Sequence, residues 1–264
     1  MIKTDIIIPT YENEEYTVAC LDSIKKCTQS GAYRVIWVDN GSKNTALVAR
    51  EIMAMEHITI LSPTNEGFVG AINSGLEVSD APAVCLLNND TQVSLGWLEK
   101  LIAVLYSDPT IGIVGPLTGP PAEMQQFDSH HNIAYQQRFR KVPVFPDWVD
   151  LEDFNRHIEK QLPRVTGAVD FVAFLCALIK RDVIDKIGFL DSKYVMGMWD
   201  DADYNFAAQK AGYKTLLVLD TCIYHHGRAT FKMIQEKENF NVDALLAKNR
   251  AYLEQKWGTI CAQK

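Results

Sequence analysis

Four short polar signals each stand at the edge of an apolar run. Asp5-Ile6-Ile7-Ile8 leads into Pro9-Thr10-Tyr11-Glu12-Asn13, and Val35-Ile36-Trp37-Val38 into Asp39-Asn40-Gly41-Ser42. Ala83-Val84-Cys85-Leu86-Leu87 leads into Asn88-Asn89-Asp90-Thr91, and Asn65-Glu66-Gly67-Phe68-Val69-Gly70 opens a helix-like run to Gly75. Open parallel sheets bind ligands outside the carboxyl ends of their strands. Polar groups delivered there from several strands indicate one shared pocket, and they narrow the chain to an α/β sheet with crossover helices.

The rest of the first half keeps that rhythm. A strand at 5–9 is followed by a helix capped by Asn13, with Glu14 and Glu15 in its first turn and Val18, Cys20, Leu21 and Ile24 as its apolar stripe. Then come a strand at 34–38, a helix at 43–55, a strand at 58–61, a helix at 67–78, a strand at 83–87, a helix at 95–106 and a strand at 111–114. After Gly115 the alternation breaks. Residues 116–164 carry Pro116, Pro120, Pro121, Pro143, Pro146 and Pro163, the pair His130-His131 and the basic run Arg138, Arg140 and Lys141, and they read as a long insertion. Regular structure resumes over Val169–Ile179. A helix at Arg181–Ile187, an acidic helix from Asp200 to Gly212, a strand at 214–219 and a helix at 241–257 follow.

A chain of 264 residues with 47% hydrophobic content holds a sizeable core and reads as one domain, 1–264. Its net charge of −7 argues against a nucleic-acid surface. The longest apolar stretch, Val165 to Ile179, is interrupted by Asp170 and falls short of a bilayer span. Met1-Ile2-Lys3 runs straight into a strand, without the layout of a signal peptide. The six cysteines form no CxxC pair, and Cys20 and Cys27 would lie roughly 10 Å apart along one helix, beyond disulfide reach. A reducing, cytoplasmic setting is expected.

Several side chains have the chemistry for a site. Asp39, at a strand end, suits hydrogen bonds from a nucleobase or ribose, or else a turn and helix cap. Asp90, beside the amides of Asn88 and Asn89, suits Mg²⁺ or Mn²⁺ completed by phosphate oxygens and water, or else a strand-to-loop turn. Gly67 and Gly70 near a helix start allow an anion close approach, or tight helix packing. Trp199-Asp200-Asp201-Ala202-Asp203-Tyr204 places three carboxylates in four positions at a helix start. A helix dipole favours acids there, and one of them facing a pocket could accept a proton. His225-His226-Gly227-Arg228 closes a strand-like run and offers a metal ligand, with Arg228 and Lys232 near enough to meet a phosphate.

Together the motifs resemble the inverting nucleotide-sugar glycosyltransferases of family two, with the GT-A fold. The resemblance covers about residues 4–230. It rests on Ile-Pro-Thr-Tyr at 8–11, Val-Asp-Asn-Gly-Ser at 38–42, Asn-Glu-Gly-Phe at 65–68, Leu-Asn-Asn-Asp-Thr at 87–91, Trp-Asp-Asp-Ala-Asp-Tyr at 199–204 and His-His-Gly at 225–227. The chain is similar in this to bacterial rhamnosyl-, galactofuranosyl- and glucosyltransferases. The resemblance implies a Rossmann-like, mostly parallel sheet, with a nucleotide-binding half at 1–115 and an acceptor-binding half at 116–264. It puts Pro9, Thr10, Tyr11, Glu12, Asp39, Asn65, Gly67, Gly70, Asn88, Asn89 and Asp90 around the donor. Asp90 and His225 would hold a divalent cation, Mn²⁺ or Mg²⁺, and Asn88 departs from the family's usual Asp. Asp201 would be the general base, with Trp199 and Asp200 on the acceptor side.

A UDP- or dTDP-sugar donor and a saccharide, lipid-linked or protein-linked acceptor follow from the resemblance. So does a role in surface glycan synthesis at the cytoplasmic side, with peripheral membrane contact compatible and no span expected. Two alternatives stand beside it. A nucleotidyltransferase would need a Gly-rich first loop with a basic residue to grip a triphosphate, and residues 9–13 have neither glycine nor Lys/Arg. A non-catalytic nucleotide-sugar-binding module would lack the acidic motif.

Overall fold

The computed structural model describes residues 3–119, 150–227 and 240–258. Its sheet has the strand order β3-β2-β1-β4-β8-β6-β9-β5, with β7 added alongside β9. The strands are β1 (Thr4–Thr10), β2 (Tyr33–Asp39), β3 (His57–Leu61), β4 (Ala83–Leu87), β5 (Thr91–Val93), β6 (Ile111–Gly119), β7 (Thr166–Ala168), β8 (Cys176–Lys180) and β9 (Lys214–His225). β1, β2, β3 and β4 pair in parallel; β8 runs against both β4 and β6, and β6 is parallel to β9. Six strands thus share one direction, and β5, β7 and β8 oppose it. The expected α/β architecture with a mostly parallel sheet flanked by helices is present.

The helices are α1 (Glu14–Cys27), α2 (Ala46–Ile52), α3 (Gly67–Val78), α4 (Trp97–Leu105), α5 (Leu151–Gln161), α6 (Arg181–Ile187), α7 (Asp200–Lys210) and α8 (Val242–Trp257). One core lies under α1, α2 and α4 and includes Ile6, Ile8, Cys20, Leu21, Ile24, Trp37 and Trp97. The opposite face packs α3, α6, α7 and α8 over Ile7, Ile36, Val84, Leu86, Ile72 and Tyr194. The alternation Ile6/Ile8 against Ile7 is the period-2 pattern of a strand covered on both faces.

Several expectations need correction: the stretch expected to resume regular structure at Val169 forms a strand only from Cys176, and the strand expected at 214–219 runs on to His225. Asn13 stands at the helix start but does not cap it through its side chain, and it sits in the left-handed region with φ 55°. α2 is half the expected length. β6 continues through Pro116 to Gly119, past the expected end at 114. Its pairing jumps from Pro116↔Val218 to Leu117↔Cys222, so β9 bulges at the residue that cannot donate to a ladder. Finally, the expected insertion contains α5. Asp150 caps it by accepting from the backbone of Glu152 and Asp153, and Phe154 and Ile158 pack on Leu117, Leu219 and Cys222. Pro120, Pro121, Pro143, Pro146, His130, His131, Arg138, Arg140, Lys141, Arg228 and Lys232 lie outside the described residues. Cys20, Cys27, Cys85, Cys176 and Cys222 are free thiols. No helix among the described residues is long and apolar enough to cross a membrane.

Candidate active site

Register brings the polar signals together. Thr10 pairs with Asp39 at the last rung of β1 and β2, so both strands deliver their final residues to the same edge. Thr10 is buried, and its Oγ1 accepts from Trp37 Nε1 at 2.8 Å. Asp39 is 4% exposed; its Oδ2 accepts from the backbone N–H of Ser42 at 3.2 Å. The Glu12 N–H donates to Ser42 Oγ at 2.7 Å, and Glu12 Oε1 accepts from the Lys43 N–H at 3.3 Å. The loops after β1 and β2 are therefore laced together, with Pro9, Tyr11 and Glu12 half-buried at their rim.

Asn40, which motif reading left without a role, is the hub of the next layer. Its N–H donates to the Thr10 carbonyl at 2.8 Å, and its Nδ2 to Asn65 Oδ1 at 2.9 Å and the Gly67 carbonyl at 3.0 Å. Its Oδ1 accepts from the Glu66 N–H at 2.9 Å, and Asn65 Oδ1 also accepts from the Gly67 N–H. Tight helix packing, one of the two readings of Gly67 and Gly70, has its contacts here. Gly67 has φ +78°, and a Cβ there would lie 2.3 Å from the Val195 carbonyl oxygen. At Gly70 it would meet Glu66 Cβ at 2.8 Å. Close packing accounts for both glycines, and Asn65 is committed to holding the turn.

Asn89 is also turned inward. It is buried, and its Nδ2 donates to Thr17 Oγ1 of α1 at 2.9 Å. The following residue is equally buried but turns to another partner: Asp90 Oδ1 lies 3.1 Å from His225 Nε2. The contact is built by β5 pairing with β9, which sets Thr91 opposite His225, and by the His226 N–H donating to the Asp90 carbonyl at 2.9 Å. Asn88 is fixed through its backbone, its N–H donating to the Leu175 carbonyl and its carbonyl accepting from Thr91 Oγ1.

Two side-chain donors converge here, one carboxylate and one imidazole, and no cluster of three or more His, Cys, Asp or Glu exists among the described residues. That set fits a Mg²⁺ or Mn²⁺ ion whose other ligands are phosphate and water oxygens, not a closed protein cage. On the other side of β9, Tyr16, Tyr224 and His226 meet edge to face, with centroids 4.8 and 4.6 Å apart, and Gln92 reaches His226. Their alternation with His225 along the strand was the available signal.

The acidic helix sorts its three carboxylates. Asp203 is buried and accepts from Trp257 Nε1 at 2.6 Å and Lys256 Nζ at 2.9 Å. Asp200 is 5% exposed, and its Oδ2 has no hydrogen-bond partner among the described residues. Asp201 is half-buried, and its Oδ1 accepts from the Ala202 N–H at 2.8 Å. Trp199 is half-buried and packs on the second core. The turn before α7 is strained: Val195, Met198 and Trp199 have φ of 35°, 69° and 71°. Each such residue costs on the order of 1–3 kcal/mol and persists only where its surroundings hold it.

Burial, reinforced by the neighbouring Asp201 charge, holds the Asp200 carboxyl well above its ordinary 3.8. The folded chain then binds a proton that the unfolded chain releases, so this group's contribution falls as pH rises from about 4 toward the folded value. Asp200→Asn, neutral at every pH, is expected to melt higher than wild type near neutrality, with the advantage fading toward pH 4. Melting curves across that range check it; a constant offset would remove ionisation as the cause.

Residues 5–188 match the family described as glycosyl transferase family 2. The chain belongs to glycosyl transferase family 2. Its relatives include the amylovoran biosynthesis glycosyltransferase AmsB of Erwinia amylovora, 23% identical over 231 residues, 85% of this chain and 70% of AmsB. An uncharacterized Sinorhizobium fredii protein, y4gI, is 25% identical over 241 residues; the chain spans only 24% of that protein's length. Among solved structures, the mannosyltransferase PcManGT of Pyrobaculum calidifontis, in complex with GDP-Man and Mn²⁺, superposes with TM-score 0.63 at 15% identity, covering 96% of this chain and 70% of that one. GalNAc-T7 with UDP, GalNAc and Mn²⁺ gives 0.67 at 13% identity, covering 97% and 48%. The family-two resemblance and the GT-A fold both hold.

Proposed function

We propose that this family-two member is an inverting transferase that moves a sugar from a UDP- or dTDP-sugar to a hydroxyl of a saccharide, lipid-linked or protein-linked acceptor in surface glycan synthesis. We place the donor in the half at 1–115 and the acceptor against 116–264, working at the cytoplasmic side. The observation that carries the reading is the graded burial of the acidic helix's carboxylates: Asp203 is buried and bonded to α8, Asp200 is buried, and Asp201 alone of the three is only half-buried.

In this reading Asp39 accepts hydrogen bonds from the base, and the loops of Thr10, Tyr11 and Glu12 border the nucleotide. Asp201 takes the proton of the acceptor hydroxyl as that oxygen attacks the anomeric carbon, and a single displacement inverts the centre. Asp90 and His225 would hold a divalent cation, which when bound supplies charge neutralisation for the departing diphosphate. Trp199 gives an apolar face beside the acceptor. The Mn²⁺-containing complexes of PcManGT and GalNAc-T7 support a cation of this kind.

A melting screen of nucleotide sugars tests the proposal. A ligand that binds only the folded state raises its stability with the logarithm of concentration over Kd. One UDP- or dTDP-sugar is expected to raise the melting temperature with Mn²⁺, to lose most of that effect after EDTA, and to lose it in Asp90→Ala. An undiminished shift after exhaustive chelation would overturn the cation's part, and no shift with any nucleotide sugar would overturn the whole reading.

A further inference from the structure

We propose that Asn249, on α8, is a positioning residue for Asp201: it fixes the strained turn that starts the acidic helix. The inference rests on Asp201 being the base. Both α8 and the turn at 195–199 lie beyond residues 5–188, the part that matches the family.

The turn is costly to hold in shape. Val195, Gly197, Met198 and Trp199 all have positive φ, three of them without glycine's freedom. It is gripped from two sides. The Val195 carbonyl accepts from the Val69 N–H of α3 at 3.0 Å, over the space left by Gly67. From the other side, Asn249 Nδ2 donates to the carbonyls of Gly197 at 2.8 Å and Met198 at 3.1 Å. Asn249 is 3% exposed, so those bonds are made away from water, where an unpaired carbonyl is costly.

Its helix face continues the grip. Tyr252 OH donates to Asp191 Oδ2 at 2.8 Å, Lys256 Nζ reaches both Asp191 and Asp203, and Trp257 Nε1 donates to Asp203. Positions 249, 252, 256 and 257 share one side of a helix, and every one of these contacts falls on 191–203. Asp201 follows Met198 by three residues, so the placement of its carboxylate depends on the carbonyls that Asn249 holds. Reacting groups displaced by about 1 Å lose on the order of 10²-fold in rate.

The test compares Asn249→Ala and Asn249→Ser, the latter keeping one donor, with Leu253→Ala, a buried change on the same helix that touches neither carbonyl. Amide exchange over 195–203 reads the clamp without any substrate. It is expected to quicken most in Asn249→Ala, less in Asn249→Ser, and least in Leu253→Ala. Transfer kcat is expected to fall about 10–100-fold in Asn249→Ala, with nucleotide Kd and donor KM near wild type, and Asn249→Ser in between. Unchanged exchange in Asn249→Ala overturns the clamp. Quickened exchange with normal kcat, or an equal kcat loss in Leu253→Ala, overturns the positioning role. A wild type that transfers no sugar would refute the catalytic reading on which the role depends, and the exchange comparison would still decide the clamp.

Discussion

Asp201→Asn is expected to slow transfer about 10²–10⁴-fold, the usual size of a general-base contribution, with nucleotide affinity near wild type. The amide keeps the size of the carboxylate and can still accept from the Ala202 N–H, so α7 should start as before. What it loses is the ability to take a proton. The neighbours make the variant informative. Asp203→Asn would weaken the pairing with Lys256 and loosen α8, so its effect should appear first in stability. Asp200→Asn changes a carboxyl that burial already keeps toward its neutral form, so its rate effect should be far smaller. Rates of transfer in the three variants, measured with nucleotide titrations, separate these cases. Equal losses for Asp200→Asn beside an active Asp201→Asn would move the role by one residue.

Gly67→Ala is expected to be the most damaging single methyl in the described part of the site. The left-handed φ alone costs a side chain about 1–2 kcal/mol. The new Cβ would also stand 2.3 Å from the Val195 carbonyl oxygen and 2.6 Å from its carbon. These are backbone atoms of a turn already held on two sides, so neither can swing away as a side-chain tip would. Forcing such a contact open adds about 1–3 kcal/mol, a total of roughly 3 kcal/mol from a domain whose whole stability is on the order of 5–15 kcal/mol. Gly31→Ala is the matched control: φ is +81° and nothing lies within 4 Å of the added carbon, so only the backbone cost should remain. Urea midpoints of the two variants, compared at equal slope, test the difference; equal losses would remove the Val195 contact as the cause.

The elements that could be read from sequence were those with a local cause. Ala83–Leu87, Gly67–Val78 and Arg181–Ile187 begin and end where the apolar runs and helix periodicity put them. α5 had a legible pattern as well, Leu151, Phe154, Ile158 and Leu162, but the proline-rich approach to it outweighed that pattern. β5 is three residues long and exists only as a partner of β9, so nothing in its own sequence announces it.

The site divides in the same way. Asp90 and His225 carry side chains whose chemistry is suggestive in isolation, and the fold brings them to 3.1 Å. Asn40 and Asn249 are amides whose value lies mostly in distant backbone groups, so composition and spacing are silent about them. The glycines at 67 and 70 are ambiguous for a related reason: a missing Cβ shows that something comes close, and among the described residues that neighbour is the chain's own backbone and side chain.

The pairing of β5 with β9 has one more consequence. Gln92 and His226, which touch across it, stand 134 positions apart in the chain. A contact so distant cannot form until the strands between have taken their places, since closing long loops must precede the reward of the contact. The carboxylate and imidazole beside it are therefore companions only in the finished molecule. An unfolded or half-folded chain offers a cation nothing but separate, weak ligands, whereas the completed sheet offers both together. Any ion bound at that seam draws the population toward the native state, and assembly of the sheet and capture of the ion become two descriptions of one equilibrium.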